Sequence, residues 1–335
     1  MTRFMEQSLG WGNFLVFAAS AVALLVIVLS AVVYLIYFER KFIGWMQFRV
    51  GPNRVGPLGL LQTVADVAKL LLKEDIIPKR ADKDLYILAP VLAYFPSFTV
   101  LAVIPYSEEL YFTNLNAGVL YYIAVSGLTV IGVVIAGWAS NNSYSLLGAM
   151  RSGAQMISYE IPLVMSILGT VLISGSMNIR TIVLEQDGWF WNWNIFPQFI
   201  GFLVFVVAAV AELARTPFDL PEAENELVAG YHVEYTGFRF AFFMLTEYVY
   251  MIAMSGLATA VFLGGWHAPA PFLDFIPGLV WFLLKWAFCV FFLYLVRATM
   301  PRVRIDQLMS FGWKYLIPLS LVNIFLTAIF MEIVR

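Results

Sequence analysis

Cysteine occurs once and histidine twice in this chain of 335 residues. A single thiol, Cys289, set in an apolar run, leaves no internal disulfide and no cluster of thiolate ligands; it reads as a small packed side chain. An iron–sulfur centre needs about four such ligands, and a b-type haem needs histidines on neighbouring helices. His232 and His267 fall on opposite sides of the membrane in the topology below. No GxGxxG or GxxxxGK[ST] run occurs, so neither a dinucleotide fold nor a P-loop is supported. Internal repeats and low-complexity tracts are also missing. The expectation is a chain with no redox metal or flavin of its own; any electrons it serves arrive from another subunit.

Charge is the other scarcity. Only 13% of the residues are charged and the net charge is −2, while 61% are hydrophobic, 16% are aromatic and the mean hydropathy is +0.82. Those values lie outside the range of a soluble domain. Long unbroken apolar runs, rather than short alternating ones, indicate helices and not a β-barrel. The predicted fold is all-α and polytopic. A crossing helix needs about 20 apolar residues, and eight segments come near enough: Phe14–Phe38, Leu85–Ile104, Val119–Trp138, Met156–Ile173, Phe199–Ala214, Phe238–Leu263, Ile276–Val296 and Tyr315–Val334. The first is followed directly by Glu39-Arg40-Lys41, which reads as a retained anchor and not a cleaved signal. All but Arg3, Arg180, Lys285 and Arg335 of the 20 Lys and Arg residues fall in or beside the odd-numbered loops. By the positive-inside rule those loops face the cytoplasm and both termini face outward. The whole chain, 1–335, then forms one transmembrane domain. The external Trp189, Trp191 and Trp193 read as an interfacial aromatic belt.

Two loops carry pattern. In the first, residues 39–84, the stretch LGLLQTVADVAKLLLK (58–73) places Gln62, Asp66, Lys69 and Lys73 at spacings of four, three and four. That is a narrow polar stripe on an apolar helix, too short to cross, so an amphipathic helix on the membrane surface is expected. The other, residues 215–237, follows the fifth segment. Around it AELARTPFDLPEAENELVAGYHVEY gathers Glu212, Asp219, Glu222, Glu224, Glu226 and Glu234 against a single arginine, Arg215. Pro217, Phe218, Leu220, Leu227 and Tyr231 interrupt the acids, so a loop folded against a span or a partner is expected in place of a solvated tail. A metal site at PEAENE lacks the glycine-turned ligand loop such sites use.

Glu160, Glu212, Glu247 and Lys285 lie inside the spans. Left unpaired, a charge at the bilayer centre costs about 2.5–3.5 kcal/mol even on the lenient scale. Each must pair, stay neutral or face a polar interior. Glu247 and Lys285 sit at similar depth on consecutive segments, which predicts an ion pair between them. Two readings remain open: polar contacts that hold helices together, or a contiguous acidic path that carries protons or cations.

Several longer motifs carry a resemblance. GLLQTVADVAKLLLKE, RTPFDLPEAENEL, QFRVGPNRVGP, AQMISYEIP and RATMPRVRIDQLMSFGWKYLIPL occur in that family's order, and ERK precedes them. Across nearly its whole length the chain resembles the NuoH-type membrane subunits of respiratory complex I, the NADH–quinone oxidoreductase. The resemblance implies eight spans with both termini outside, and a part in the chamber where a quinone, ubiquinone or menaquinone, is reduced. It implies that Arg40, Arg49, Asp66, Lys69, Arg215, Asp219, Arg297 and Arg302 line the chamber and its mouth. Glu160, Glu212, Glu222, Glu224, Glu226, Glu234, Glu247 and Lys285 would form the proton path. NADH, FMN and the iron–sulfur clusters would belong to partner subunits. The partners implied are the peripheral quinone-module subunits and the small membrane subunits leading to the antiporter-like ones; nucleic acid is not among them. Alternatives are a hydrogenase-type relative without a quinone and a stand-alone ion transporter.

Overall fold

Apolar sequence long enough to cross a bilayer becomes helix because a helix satisfies its backbone groups within the one segment, without water. The computed structural model of the chain describes residues 11–220 and 227–334, and among them every regular element is helical. In chain order these are α1 (Trp11–Met46), α2 (Gln62–Leu72), α3 (Lys83–Thr99), α4 (Gly118–Ala139), α5 (Ser143–Ser174), α6 (Ile179–Leu184), α7 (Phe199–Glu212), α8 (Gly237–Phe262), α9 (Gly278–Thr299), α10 (Ile305–Phe311) and α11 (Ile317–Val334). A π-helical turn, Gly312–Leu316, joins α10 to α11 without a break.

Seven of the described helical stretches are long and apolar enough to cross a membrane. The fifth expected span differs. Its helix, α7, has 14 residues, about 21 Å at 1.5 Å per residue against a hydrocarbon thickness of about 30 Å. The helix stops where its apolar run meets Glu212 and turns over at Ala214, whose φ of 47° takes the chain out of helix.

α8 is the most buried of the seven, while α1, α9 and α11 leave most of their length uncovered. Around α8 pack α3, α1 and α9, and α3, α4, α5 and α7 follow one another in space as they do in sequence. Small residues set the spacing. A Cβ added at Gly132 of α4 would lie 2.5 Å from the backbone nitrogen of Ala93 in α3, so only glycine permits that approach. Pro90 and Pro96 fall inside α3 and Pro162 inside α5. Each removes one helical donor, a loss that neighbouring helices accommodate at membrane depth.

Two boundaries bear on the site. α1 runs to Met46, well past its apolar part, because Glu39, Arg40 and Lys41 precede any helix breaker. Glu39 thereby becomes a helical residue and not the start of a loop. α2 begins at Gln62, later than the pattern predicts, because Pro57–Gly59 forms a separate turn with Leu58 at φ 55°.

Candidate functional site

Glu39 lies on the face of α1 that also carries Val28, Val32 and Leu35, all buried, and is itself 2% exposed. Such a carboxylate needs partners. Arg215, just beyond α7 and 6% exposed, donates from Nη1 to both Glu39 oxygens, at 2.9 and 3.0 Å. Arg297, in the last turn of α9, donates to Glu39 Oε1. The other Arg215 amino group lies 3.9 Å from Glu247 Oε2 of α8, and its guanidinium stacks 4.4 Å over the Tyr248 ring. The Arg215 guanidinium thus joins α1 to α8, and Arg297 of α9 reaches the same cluster through Glu39. Beside them Arg302 donates to Asp219 at 3.1 Å; burial pushes the Asp219 carboxyl above its ordinary range, and Arg302 opposes the shift.

One turn earlier, Glu212 ends α7 buried in the protein and accepts a hydrogen bond from the Tyr250 hydroxyl of α8. Its other oxygen has no protein donor among the described residues, and neither has the buried Tyr122 hydroxyl of α4. Glu160 of α5 and Tyr122 are near enough to act on Glu212 electrostatically. The Glu160 carboxylate lies against bare α4 backbone, since a Cβ at Gly127 would come within 3.0 Å of its Oε1.

The acidic loop is folded on both sides of the residues 221–226, and the expected Glu222, Glu224 and Glu226 lie outside the described residues. Gln155 of α5 donates to the carbonyls of Ala211 and Phe218, at 2.7 and 2.9 Å. Ser145 donates to Tyr231 O at 2.9 Å, and Asn142 Nδ2 to Glu234 Oε1 at 2.6 Å. His232 is buried, and that burial pushes its imidazole below the ordinary pKa, so it is neutral at pH 7. A Cβ at Gly148 would meet the Gly230 Cα at 2.6 Å. Gly148→Ala is therefore expected to lift the loop from α5 and speed amide exchange over residues 227–236 at least tenfold. Gly153→Ala, whose Cβ meets valine methyls of α4, Val134 at 3.0 Å and Val130 at 3.7 Å, and no part of the loop, is expected to leave that exchange unchanged. Equal rates in both variants would remove the close approach from the account.

A separate group forms at the junction of α1, α2 and α8. Arg40 pairs with Asp66 at 2.5 Å, and both line a cavity of about 420 Å³ together with Lys69. Arg49 stands apart on the exposed turn after α1, where it donates to the Gln47 side-chain oxygen.

The predicted Glu247–Lys285 pair does not form. Lys285 of α9 donates instead to the carbonyls of Gly265 and His267, at 3.1 and 2.7 Å, and sits 3.9 Å over the Trp193 ring. A lysine stem is long enough to carry its head away from the depth of its own Cα, toward polar atoms at the end of the bundle. Glu247 turns the other way, to Arg215. Trp193 is thus more than a belt residue, whereas Trp189 and Trp191 stay exposed.

The sequence reading missed Glu39, Tyr248 and Tyr250. Glu39 passed for a charge ending the first span. Its signal was present in the spacing, since Val28, Val32, Leu35 and Glu39 recur at four, three and four, one helical face. The two tyrosines carry no such signal in a chain so rich in aromatics.

Comparison with known proteins decides the kinship. The sequence pattern of the family described as NADH dehydrogenase matches residues 19–328. The H subunit of the NADH-quinone oxidoreductase of Brevibacillus brevis is 64% identical over 329 residues, 98% of this chain and 97% of the relative. The chain belongs to this family. The H subunit of the Geobacillus kaustophilus oxidoreductase is 62% identical over 331 residues, covering 98% of both chains. That of Bacillus cytotoxicus is 61% identical over 332 residues, 99% of this chain and 98% of its own. Within this family of H subunits, then, the buried ionic cluster at Arg215 and the cavity at Arg40 belong to a membrane subunit of complex I.

Proposed function

We propose that this chain forms one wall of the quinone-reduction chamber and passes the charge change of that reaction into the membrane. The observation that carries the proposal is the buried ionic cluster in which Arg215 joins Glu39 to Glu247 and Arg297 also holds Glu39, one turn from the acid at Glu212. Such an arrangement responds to added charge as a unit, because removing or protonating one member leaves the others uncompensated in low dielectric.

The quinone, ubiquinone or menaquinone, is the substrate. Its reduction to quinol takes two electrons from an iron–sulfur centre of a partner subunit and two protons. Arg40, Asp66 and Lys69 stand at the mouth of the chamber and Arg49 on its outer rim. Arg297, Arg302, Arg215 and Asp219 hold charge at its inner end. Negative charge gained there draws on the Arg215 cluster and favours proton uptake at Glu247, Glu212 and Glu160. Glu222, Glu224, Glu226 and Glu234 extend the acidic side, and Lys285 holds the outward end of the bundle by its carbonyl contacts. The chain carries no redox centre and acts through partner subunits that hold NADH, FMN and the clusters. Around it we place a bacterial inner membrane, eight crossings with α7 as the short one, both termini outward and α2 flat on the inner surface.

The test is Glu212→Gln in the assembled complex, reconstituted in vesicles. Coupled quinone reduction and proton translocation are expected to fall at least tenfold, while NADH oxidation by a soluble acceptor stays at the wild-type rate. Wild-type translocation in that variant would remove Glu212 from the path and sink the proposal.

A further inference from the structure

The cavity between α1, α2 and α8 holds more positive charge than its own contacts consume. Arg40 is engaged by Asp66, and the nearby Arg239 by Asp75 at 3.0 Å. Lys69, in the last turn of α2, and Lys73, the residue that follows the helix, both line the cavity. Both are exposed, and neither forms an ion pair among the described residues. On the same stretch of chain Leu71 and Leu72, and next to the lining Gly237 the side chain of Phe238, are exposed and apolar. A pair of ammonium groups lining a hollow without an ion-pair partner among the described residues, with exposed apolar side chains adjacent in the chain, has the complementarity of an amphiphile with an anionic head.

We infer that this cavity binds the phosphodiester head group of an anionic phospholipid, Lys69 and Lys73 holding the phosphate and the acyl chains lying along Leu71, Leu72 and Phe238. Basic pockets beside membrane helices take anionic head groups in this way, and each lysine near the surface raises the affinity about fivefold. The lipid then stands at the chamber mouth, where its head neutralises the two ammoniums and its chains widen the apolar edge. The inference rests on the surface placement of α2 proposed above, and not on the identity of the substrate.

The experiment uses the assembled complex in vesicles of phosphatidylcholine alone and of phosphatidylcholine with phosphatidylglycerol. Phosphatidylglycerol retained on release is counted by native mass spectrometry. The wild type is expected to hold one more phosphatidylglycerol than the Lys69→Gln/Lys73→Gln variant, whose apparent affinity falls about thirty-fold; Lys73→Arg is expected to keep it. Equal counts in wild type and double variant overturn the inference. So does displacement of the lipid by inorganic phosphate, which marks a free-anion site. Carbodiimide coupling of Lys73 to a partner subunit's carboxylate in the assembled complex overturns it as well, since the cavity is then filled by protein. A photoreactive quinone applied to the same samples reports separately on the chamber mouth. Label absent from α2 sinks the quinone reading there and leaves the lipid count standing.

Discussion

Arg215→Met is expected to give the largest loss of any single replacement in this chain. Arg215 is the bridge between two carboxylates from different helices, Glu39 and Glu247, and Glu39 is 2% exposed. Removing one partner of a buried pair strands the other's charge and costs about 3–5 kcal/mol. Arg297 still faces Glu39, which places the expectation at the lower end of that range. Unfolding of the purified complex, or its yield at raised temperature, measures the loss. Quinone reduction is expected to fall more than tenfold. Glu39→Gln should recover most of the stability in the Arg215→Met background, because no charge is then stranded. Arg215→Lys is expected to rescue little, since one ammonium cannot reproduce the planar fork that reaches both acids. By contrast Arg302→Ala, which frees a half-exposed pair with Asp219, is expected to cost within about 1 kcal/mol. Independent, additive losses for Arg215→Met and Glu39→Gln would show that the cluster does not act as a unit.

Tyr250→Phe is expected to follow in size. Its hydroxyl is the protein donor that reaches Glu212, whose second oxygen has none among the described residues. A hydrogen bond to a charged group contributes about 1.5–3 kcal/mol, so its loss changes the free energy at which Glu212 carries charge. Coupled quinone reduction is expected to slow about tenfold, with assembly and soluble-acceptor activity intact. In a Glu212→Gln background the same Tyr250→Phe change is expected to have little further effect, since no carboxylate remains for it to serve. A full effect in that background would assign Tyr250 to packing alone. Together the two experiments separate the ionic bridge at the loop from the acid at the end of α7.

How far these residues could be found in advance differs by kind. Asp66, Lys69 and Lys73 recur at three and four in the sequence and line one cavity in the structure, as residues at helical spacing on one face would. The folding of the acidic loop was legible from Leu220, Leu227 and Tyr231 among the acids, and all three are buried. Arg215 was visible as the loop's single arginine, but not as the bridge between Glu39 and Glu247. Lys285 shows the opposite case. Its depth in sequence matched Glu247, yet its side chain answers to carbonyls at 265 and 267 and to the Trp193 face.

Hydropathy, the count of apolar runs, the side favoured by Lys and Arg and the stripe on α2 were determined by the sequence itself, because each is a sum or a period along one chain. Which face Glu39 presents, how short α7 becomes, and which charge meets which were decided only by tertiary structure. Helix rotation and relative depth set those contacts, and a long side chain can move its charge by more than a helical turn from its own Cα. Pairing in a low-dielectric interior depends on that final placement and on nothing that spacing along the chain records.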